Sequence, residues 1–191
     1  MIISLVGPHG SGKTMVADLL SSDPFFSKFD LGPMIRSLHS VSSGSHLPLG
    51  NWIEIEERHH GPDFTNIVLL QEVHRLIAES PGMASGHQVF VGSRSLRGLR
   101  YIQENLTGVE STQSHTIYFD APFEVLRQRY EEREQKSVTR AQFQKLLDRD
   151  IDMGLPHLKA VADTLITNVG LTPALLLARV LMEIERIAVA A

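Results

Sequence analysis

The sequence predicts a three-layer α/β protein, in which a parallel five-stranded sheet carries helices on both faces. Short apolar runs that suit buried strands alternate along the chain with longer segments whose apolar residues recur at helical spacing. A helix between two strands gives a right-handed crossover, and therefore parallel strands that are covered on both faces. A chain of 191 residues is long enough for one such domain with a sizeable core. Ligands of such sheets bind beyond the carboxyl ends of the strands.

Each predicted element depends on one of these two patterns. The apolar run Ile2–Val6 predicts the first strand, and a second strand is expected before Arg36. Later apolar runs predict strands at residues 89–91, 115–119 and 164–166. Helical periodicity predicts helices that begin at Lys13 and that cover residues 67–77, 96–106, 123–134 and 176–187.

Two segments depart from this alternation. Residues 32–62 are polar and weakly periodic. Within residues 133–154, the stretch from Arg133 to Asp150 carries both signs of charge and few core positions besides Phe143, Leu146 and Leu147. The second segment therefore predicts an exposed helix. Trp52, in the first segment, is interpreted as a packing residue rather than as a platform on which a base stacks. We interpret both segments as excursions from a single domain, whose core comprises residues 1–31, 63–132 and 155–191.

Composition excludes several classes of protein. The net charge of −4 argues against a broad basic surface for nucleic acid, so the expected ligand is a small anion. The absence of cysteine excludes disulfides and thiolate-bound zinc. Apolar stretches fall short of the roughly 20 residues of a membrane span, and no signal-peptide pattern precedes Gly7. We therefore expect a cytoplasmic monomer or small homo-oligomer, without nucleic-acid or membrane partners.

A glycine-rich loop follows the first strand and opens the first helix. Its sequence GPHGSGKT matches the pattern GxxxxGK[ST], the phosphate-binding loop or Walker A motif, in the structural context that the motif requires. Backbone N–H groups and the positive end of the helix would face the phosphates, Lys13 would add a charge, and Thr14 would bind magnesium. The alternative is a glycine-rich turn without a ligand. The predicted nucleotide-binding residues are Gly7, Pro8, His9, Gly10, Ser11, Gly12, Lys13 and Thr14.

Arginines are the candidate groups for binding further negative charge beside this loop. Arg94 follows the third predicted strand at its carboxyl end, where ligands of such sheets bind. Arg129 and Arg133 are four residues apart on a predicted helix, so they share a face and could clamp one anion. Each of these arginines could instead lie on a solvated helix surface and pair with a neighbouring acid.

Further short segments match one known family in order along nearly the whole chain. After the phosphate loop they are residues 31–36 (LGPMIR), 61–63 (GPD), 92–95 (GSRS), the helix with Arg129 and Arg133, 148–150 (DRD) with Gly154, and 162–170 (ADTLITNVG). Together they resemble the nucleoside monophosphate kinase group of P-loop proteins, and most closely its dephospho-CoA kinase and adenylate kinase-like branch. The resemblance implies the three-layer P-loop NTPase fold with an acceptor-binding excursion and a lid.

On the donor side, the resemblance implies binding of ATP and Mg²⁺. The phosphate loop would hold the phosphates, and Asn168 would lie against the donor base. Residues 133–154 would form a mobile lid. The arginines acting from this lid would be Arg129, Arg133 and Arg149.

On the acceptor side, the resemblance implies that Arg36 and Arg94 bind the acceptor phosphate and that residues 32–62 form the acceptor-binding region. Two positions depart from the family, because Val91 and Pro33 stand where many relatives have aspartate. Another aspartate could take over metal placement or acceptor activation, although each candidate could equally be a cap or turn residue. The sequence leaves the choice open among Asp30, Asp63 and Asp120.

The resulting prediction is an ATP-dependent small-molecule kinase that transfers the γ-phosphate to a nucleotide or nucleotide-like acceptor, such as a (deoxy)nucleoside monophosphate or dephospho-CoA. A catalytically weak nucleotide-binding regulatory protein is one alternative, motivated by the missing acid at Val91. The other is a P-loop kinase for a non-nucleotide metabolite. If the protein is a weakened kinase, Val91→Asp would raise its rate. The predicted catalytic residues are Lys13, Arg94, Arg129 and Arg133.

Overall fold

The computed structural model describes residues 1–84, 86–106 and 113–189. Its strands are β1 (Ile2–Val6), β2 (Phe26–Asp30), β3 (His87–Val91), β4 (Ser114–Asp120) and β5 (Thr164–Thr167). Its α-helices are α1 (Lys13–Leu20), α2 (Leu31–Ser40), α3 (Leu49–His60), α4 (Phe64–Glu79), α5 (Leu96–Leu106), α6 (Phe123–Glu134), α7 (Arg140–Asp152), α8 (Leu155–Val161) and α9 (Pro173–Val189). Within these residues, no helix is both long enough and apolar enough to span a membrane.

The five strands form one parallel sheet in the order β2-β3-β1-β4-β5. This confirms the predicted fold class, and the strands predicted from apolar runs agree with the observed ones to within two residues at each end. β1 is the central strand, so the glycine-rich loop that follows it lies at the middle of the carboxyl edge. Asp30 pairs in register with Val91 where β2 and β3 end, and Asp120 pairs with Thr167 where β4 and β5 end.

The core covers both faces of the sheet, because successive side chains of a strand point to opposite faces. Ile3 and Leu5 of β1 belong to the apolar cluster formed with α1 and α9. Ile2 belongs to the opposite cluster, which includes Val73 of α4. Every residue of β1 is buried, as a central strand with helices on both sides requires.

Residues 32–62 are more helical than their weak periodicity predicted. Most of them lie in α2 and α3, which pack with α4 on one side of the sheet. Trp52 of α3 is 4% exposed and its ring contacts His39 and Phe64, so it is a packing residue as predicted.

Residues 133–154 contain α7, but this helix is not wholly exposed as the sequence predicted. A capping box begins it, in which Thr139 and Gln142 satisfy each other's backbone N–H groups. Phe143 is fully buried against Phe123 and Tyr130 of α6. Asp150 is also buried, with 3% of its surface exposed. Phe143 was one of the few core positions that the sequence indicated in this stretch, whereas the burial of the charged side chain of Asp150 was not predicted.

Candidate active site

The phosphate loop adopts a backbone that requires glycine at three of its positions, Gly7, Gly10 and Gly12, and the last two of these face other elements beside the cavities. Gly10 has φ +78°, and a Cβ there would lie 2.4 Å from the carbonyl oxygen of Leu126. Gly12 has φ +96°, and a Cβ there would lie 2.6 Å from the side-chain nitrogen of Asn168. Side chains at either position would therefore strain the backbone and collide with a neighbour. These glycines hold the loop closely against α6 and the segment after β5.

Lys13, the first residue of α1, is partly buried at the base of this loop. Its Nζ donates a hydrogen bond to the backbone oxygen of Pro8 at 2.9 Å. Burial, and then the charge of Arg94, lowers the pKa of Lys13 to about 8 although Asp150 acts in the opposite direction. The ammonium group is thus poorly solvated in the ligand-free protein, and a phosphate beside it would supply the missing negative charge.

A cavity of about 360 Å³ opens over the loop on the side of α6 and α9. Arg129 of α6 donates to the backbone oxygen of Asn168 at 3.1 Å and approaches its side-chain oxygen at 3.4 Å. Asn168 in turn donates to the backbone oxygen of Ser11 at 2.9 Å. Arg133 lies over the ring of Tyr130 and pairs with Glu134. The cavity is lined by Gly10, Gly12, Lys13, Thr14, Met15, Arg129, Glu132, Arg133, Asn168, Leu171 and Pro173.

A second cavity, of about 380 Å³, opens on the side of α2, α4 and α5. Its polar lining includes Thr65, Asn66, Ser93 and Ser95, and three arginines from separate elements. Much of the remaining wall is aliphatic. The arginines are Arg36, Arg94 and Arg149, and the larger aliphatic side chains are Leu31, Ile35, Leu49, Ile53, Leu69, Ile102, Leu146 and Met153.

A buried network joins the phosphate loop to α7 beside the second cavity. Nδ1 of His9 lies 2.7 Å from Oδ2 of Asp150, and a guanidinium nitrogen of Arg94 lies 2.9 Å from Nε2 of His9. Arg94 also forms an ion pair with Asp150. Burial lowers the pKa of His9 below its ordinary value, and the charges of Arg94 and Lys13 act in the same direction, although the bond to Asp150 opposes them. The imidazole is therefore neutral at pH 7.

The structure separates the three aspartates that the sequence left open. Asp120 binds Lys159 at 2.6 Å, and Asp63 forms a two-bond pair with Arg97, so both are engaged away from the two cavities. Asp30 ends β2 beside Gly32 and Gly92, both of which line the second cavity. Its charge also acts on Lys13. Asp30, whose Oδ2 lies 3.6 Å from Nζ of Lys28, is therefore the one of the three aspartates that lies beside the second cavity.

The predicted site residues fall into two groups. Those lining the first cavity are Gly10, Gly12, Lys13, Thr14, Arg129, Arg133 and Asn168, and those lining the second are His9, Arg36, Arg94 and Arg149. Gly7, Pro8 and Ser11 line neither cavity and instead shape the loop. His9, which was predicted as a nucleotide-binding residue, lines the second cavity and bonds to Asp150.

Sequence reasoning missed Asp150 as a site residue. The only available signal was its position in the DRD segment, which gave no role to this carboxylate. Its partners come from the phosphate loop and from the segment after β3, 141 and 56 residues away in sequence.

Arg127, which lies on α6 with Arg129 and Arg133, pairs with Glu124 and Glu131 on its own helix, which is ordinary surface pairing.

No family model matches the chain, and no curated protein matches it in sequence. Solved structures do match it in fold along nearly its whole length. The tunicamycin resistance protein of Deinococcus radiodurans has a TM-score of 0.59 at 19% identity, covering 96% of this chain and 94% of that one. Shikimate kinase from Acinetobacter baumannii, solved with shikimate, has a TM-score of 0.56 at 19% identity, covering 97% and 93%. An unliganded sugar kinase from Janibacter sp. has a TM-score of 0.56 at 16% identity, covering 96% and 94%. The chain therefore has the three-layer fold of the P-loop kinases.

Proposed function

We propose that the protein is an ATP-dependent small-molecule kinase. The observation that carries this proposal is that one phosphate loop borders two cavities: Lys13 and Thr14 line the first, and His9 lines the second. A kinase needs a donor and an acceptor on either side of the transferred group, whereas a nucleotide-binding switch needs only the first site.

The first cavity fits the donor nucleotide. Loop N–H groups and Lys13 would hold the phosphates, while Arg129 and Arg133 would stabilise the charge that develops on the transferred group. Leu171 and Pro173 offer apolar contact to the base. The described residues hold no cluster of three or more His, Asp or Glu side chains that could bind a metal, so Mg²⁺ would arrive with its phosphate ligands and take the Thr14 hydroxyl. Bound there, the ion would neutralise phosphate charge.

The second cavity fits the acceptor. Arg36, Arg94 and Arg149 would bind its anionic group. Asp30 would orient the acceptor hydroxyl and take its proton, as that oxygen bonds to the γ-phosphorus and the bond from phosphorus to the departing oxygen of ADP breaks. Asp30 thus takes the role that the valine at position 91 cannot perform.

For the acceptor, the resemblance in sequence favours a nucleotide, but the cavity wall favours a non-nucleotide metabolite. Among the described residues that line this cavity, none is Phe, Tyr or Trp, and Trp52 is buried behind it in the core. A base would therefore lack the ring of a Phe, Tyr or Trp side chain on which to stack. The similar folds of a shikimate kinase and a sugar kinase also support an acceptor without a base.

An acceptor panel tests the proposal, with phosphorylated product counted against ATP consumed. The panel contains nucleoside monophosphates and dephospho-CoA in one arm, and sugars and hydroxy acids in the other. We expect turnover in the second arm, and a loss of about 100-fold or more in Lys13→Ala. ATP binding without product from any acceptor would instead favour the regulatory alternative.

The role of Asp30 is tested with the acceptor that the panel identifies. Asp30→Asn should lower kcat by about 10²- to 10⁴-fold, the usual contribution of a general base, with little change in ATP affinity. Asp120→Asn is the matched control, because Asp120 also ends a strand at the same edge but binds Lys159. Equal losses in the two variants would contradict the assignment of Asp30.

A further inference from the structure

The network of His9, Arg94 and Asp150 joins three separate parts of the chain. His9 belongs to the phosphate loop, Arg94 follows β3, and Asp150 lies in the last turn of α7. Asp150 is 3% exposed, and both of its carboxylate oxygens are used, Oδ2 by His9 and Oδ1 by Arg94. A buried carboxylate with two partners of this kind is costly to leave unpaired, so the three parts are held together.

The direction of each hydrogen bond is fixed by chemistry. The guanidinium of Arg94 has only donors, so Nε2 of His9 must accept the bond between them. The proton of the neutral imidazole is then on Nδ1, which donates to Asp150. The network therefore selects the tautomer of His9 that carries its proton on Nδ1. In this tautomer Nδ1 donates to the Asp150 carboxylate and Nε2 accepts from Arg94.

Among the contacts of α7 with the rest of the molecule, one buried contact lies near each end of the helix. Near its beginning, Phe143 is buried against α6, and near its end Asp150 reaches the phosphate loop. The apolar contact involves α6 together with Ala121 and Val138. Leu146 and Arg149 of α7 line the second cavity directly, whereas Asp150 connects the helix through His9 to the phosphate loop, which borders both cavities.

We propose that Asp150 is a positioning residue which, through His9 and Arg94, closes α7 over the phosphate loop and fixes the Arg94 guanidinium at the acceptor cavity. The catalytic consequence rests on the proposed function, whereas the closure of α7 does not. Arg94 uses two of its nitrogens in this network, so its remaining N–H groups are held in a fixed direction for an anion.

Asparagine at position 150 cannot replace the carboxylate. If its amide oxygen faces Arg94, its NH₂ group meets the N–H on Nδ1 of His9. If the amide is turned, the NH₂ group meets Arg94. A shift of the His9 proton to Nε2 only moves the clash between donors to Arg94. Asp150→Asn is therefore expected to break the network although it preserves the shape of the side chain.

Hydrogen exchange of the ligand-free protein, followed by mass spectrometry, tests the closure without any assumption about ATP. Asp150→Asn should exchange about tenfold faster or more in peptides from residues 140–152, as expected when a charge-assisted hydrogen bond is lost, while peptides from β1 and β4 stay within about twofold of the native rate. Asp148→Asn is the matched control, because Asp148 lies on the same helix, is exposed and contacts only Gln144 in a side-chain bond.

Two variants of His9 distinguish positioning from a general effect on packing. The amide of His9→Gln can donate to Asp150 and accept from Arg94, so it should retain most of the protection of α7, whereas His9→Leu should lose it. These variants also keep the test decisive if Asp150→Asn does not fold. Native-like exchange of α7 in Asp150→Asn or His9→Leu, or equally faster exchange throughout the sheet, would overturn the proposal.

The pH profile supplies a second measurement. Protonated His9 would carry a donor hydrogen on Nε2, directed at Arg94, with Lys13 adding to the repulsion, Asp150 opposing it, and the Tyr130 ring of α6 facing the imidazole edge-on. Because the pKa of His9 lies below its ordinary value of 6.5, native α7 should lose protection only at pH values below 6.5, after correction for intrinsic exchange rates. His9→Gln should show no such loss. An identical profile in the two proteins would contradict the selected tautomer. If the variants show the faster exchange of α7 described above but the native protein does not bind ATP, the kinase proposal is rejected and the closure of α7 is not.

Discussion

At the scale of single residues, Lys13 is the side chain whose chemistry depends most on its surroundings. Its pKa is lowered to about 8 in the ligand-free protein, mainly by burial and then by Arg94. Phosphate oxygens beside the ammonium group favour its charged form and would raise this pKa again. Binding and protonation of Lys13 are therefore linked, and the linkage is visible at pH values at which the free lysine is partly neutral.

We expect nucleotide binding near pH 8.5 to take up a proton, and the affinity to fall as pH rises above about 8, because the free lysine must first be protonated. Calorimetry in two buffers with different ionisation enthalpies measures this uptake. Lys13→Arg is the control, since arginine stays charged and should take up none. Proton uptake of equal size in both proteins would assign the linkage to another group.

At the scale of elements, β3 shows that the effect of a departure from a family motif can be judged only from the residues packed around it. Val91 ends this strand and is 1% exposed, within the apolar cluster that includes Leu5, Val16 and Phe119. The sequence alone suggested that an aspartate at position 91 could raise the rate of a weakened kinase. In the folded chain this position is part of the core, and Asp30 lies beside it in register on β2.

Val91→Asp should therefore lower the free energy of unfolding by about 3–5 kcal/mol, the usual cost of an unpaired buried charge, and should not raise turnover. Denaturant unfolding measures the change. Val41→Asp is the matched control, because Val41 is 82% exposed and should tolerate the same substitution with little loss. A stable and faster Val91→Asp variant would show that the strand end accepts a carboxylate.

The elements also show what could be predicted from sequence. Apolar runs predicted β1, β3 and β4 because each of these strands contains a continuous run of buried residues. The phosphate loop was found because its residues are adjacent in sequence. α2 was missed because Leu31-Gly32-Pro33 resembles a turn, although Pro is tolerated in the first turn of a helix. Asp150 was missed because its burial depends on His9 and Arg94, which only the folded sheet brings to it.

At the scale of the whole molecule, the sheet order separates the two cavities. β2 and β3 lead into Asp30, Arg36 and Arg94, on one side of β1. β4 and β5 lead into Arg129 and Asn168 on the other side. Most residues that line the two cavities therefore come from opposite halves of the sheet, although Arg149 of α7, which follows β4, also lines the second cavity.

Substitutions in the two halves should act independently. We expect Arg36→Ala to raise the acceptor KM with little effect on ATP affinity, and Arg129→Ala to weaken ATP use. In the double variant, the two losses of transition-state free energy should add to within about 0.5 kcal/mol, since the residues share no partner. Steady-state kinetics of the four proteins completes the cycle. A coupling energy well above that value would mean that the two sites communicate through the lid.

The parallel order of the sheet has a consequence for how such a protein diversifies. All strands end at one edge, so the segments that follow β2 and β3 can be exchanged without altering the path of the chain through β4 and β5. On the proposed function, related proteins would keep the same nucleotide site and differ in the acceptor that they phosphorylate. Sequence differences among such proteins are expected in the aliphatic wall of the second cavity, which α2, α3 and α4 contribute.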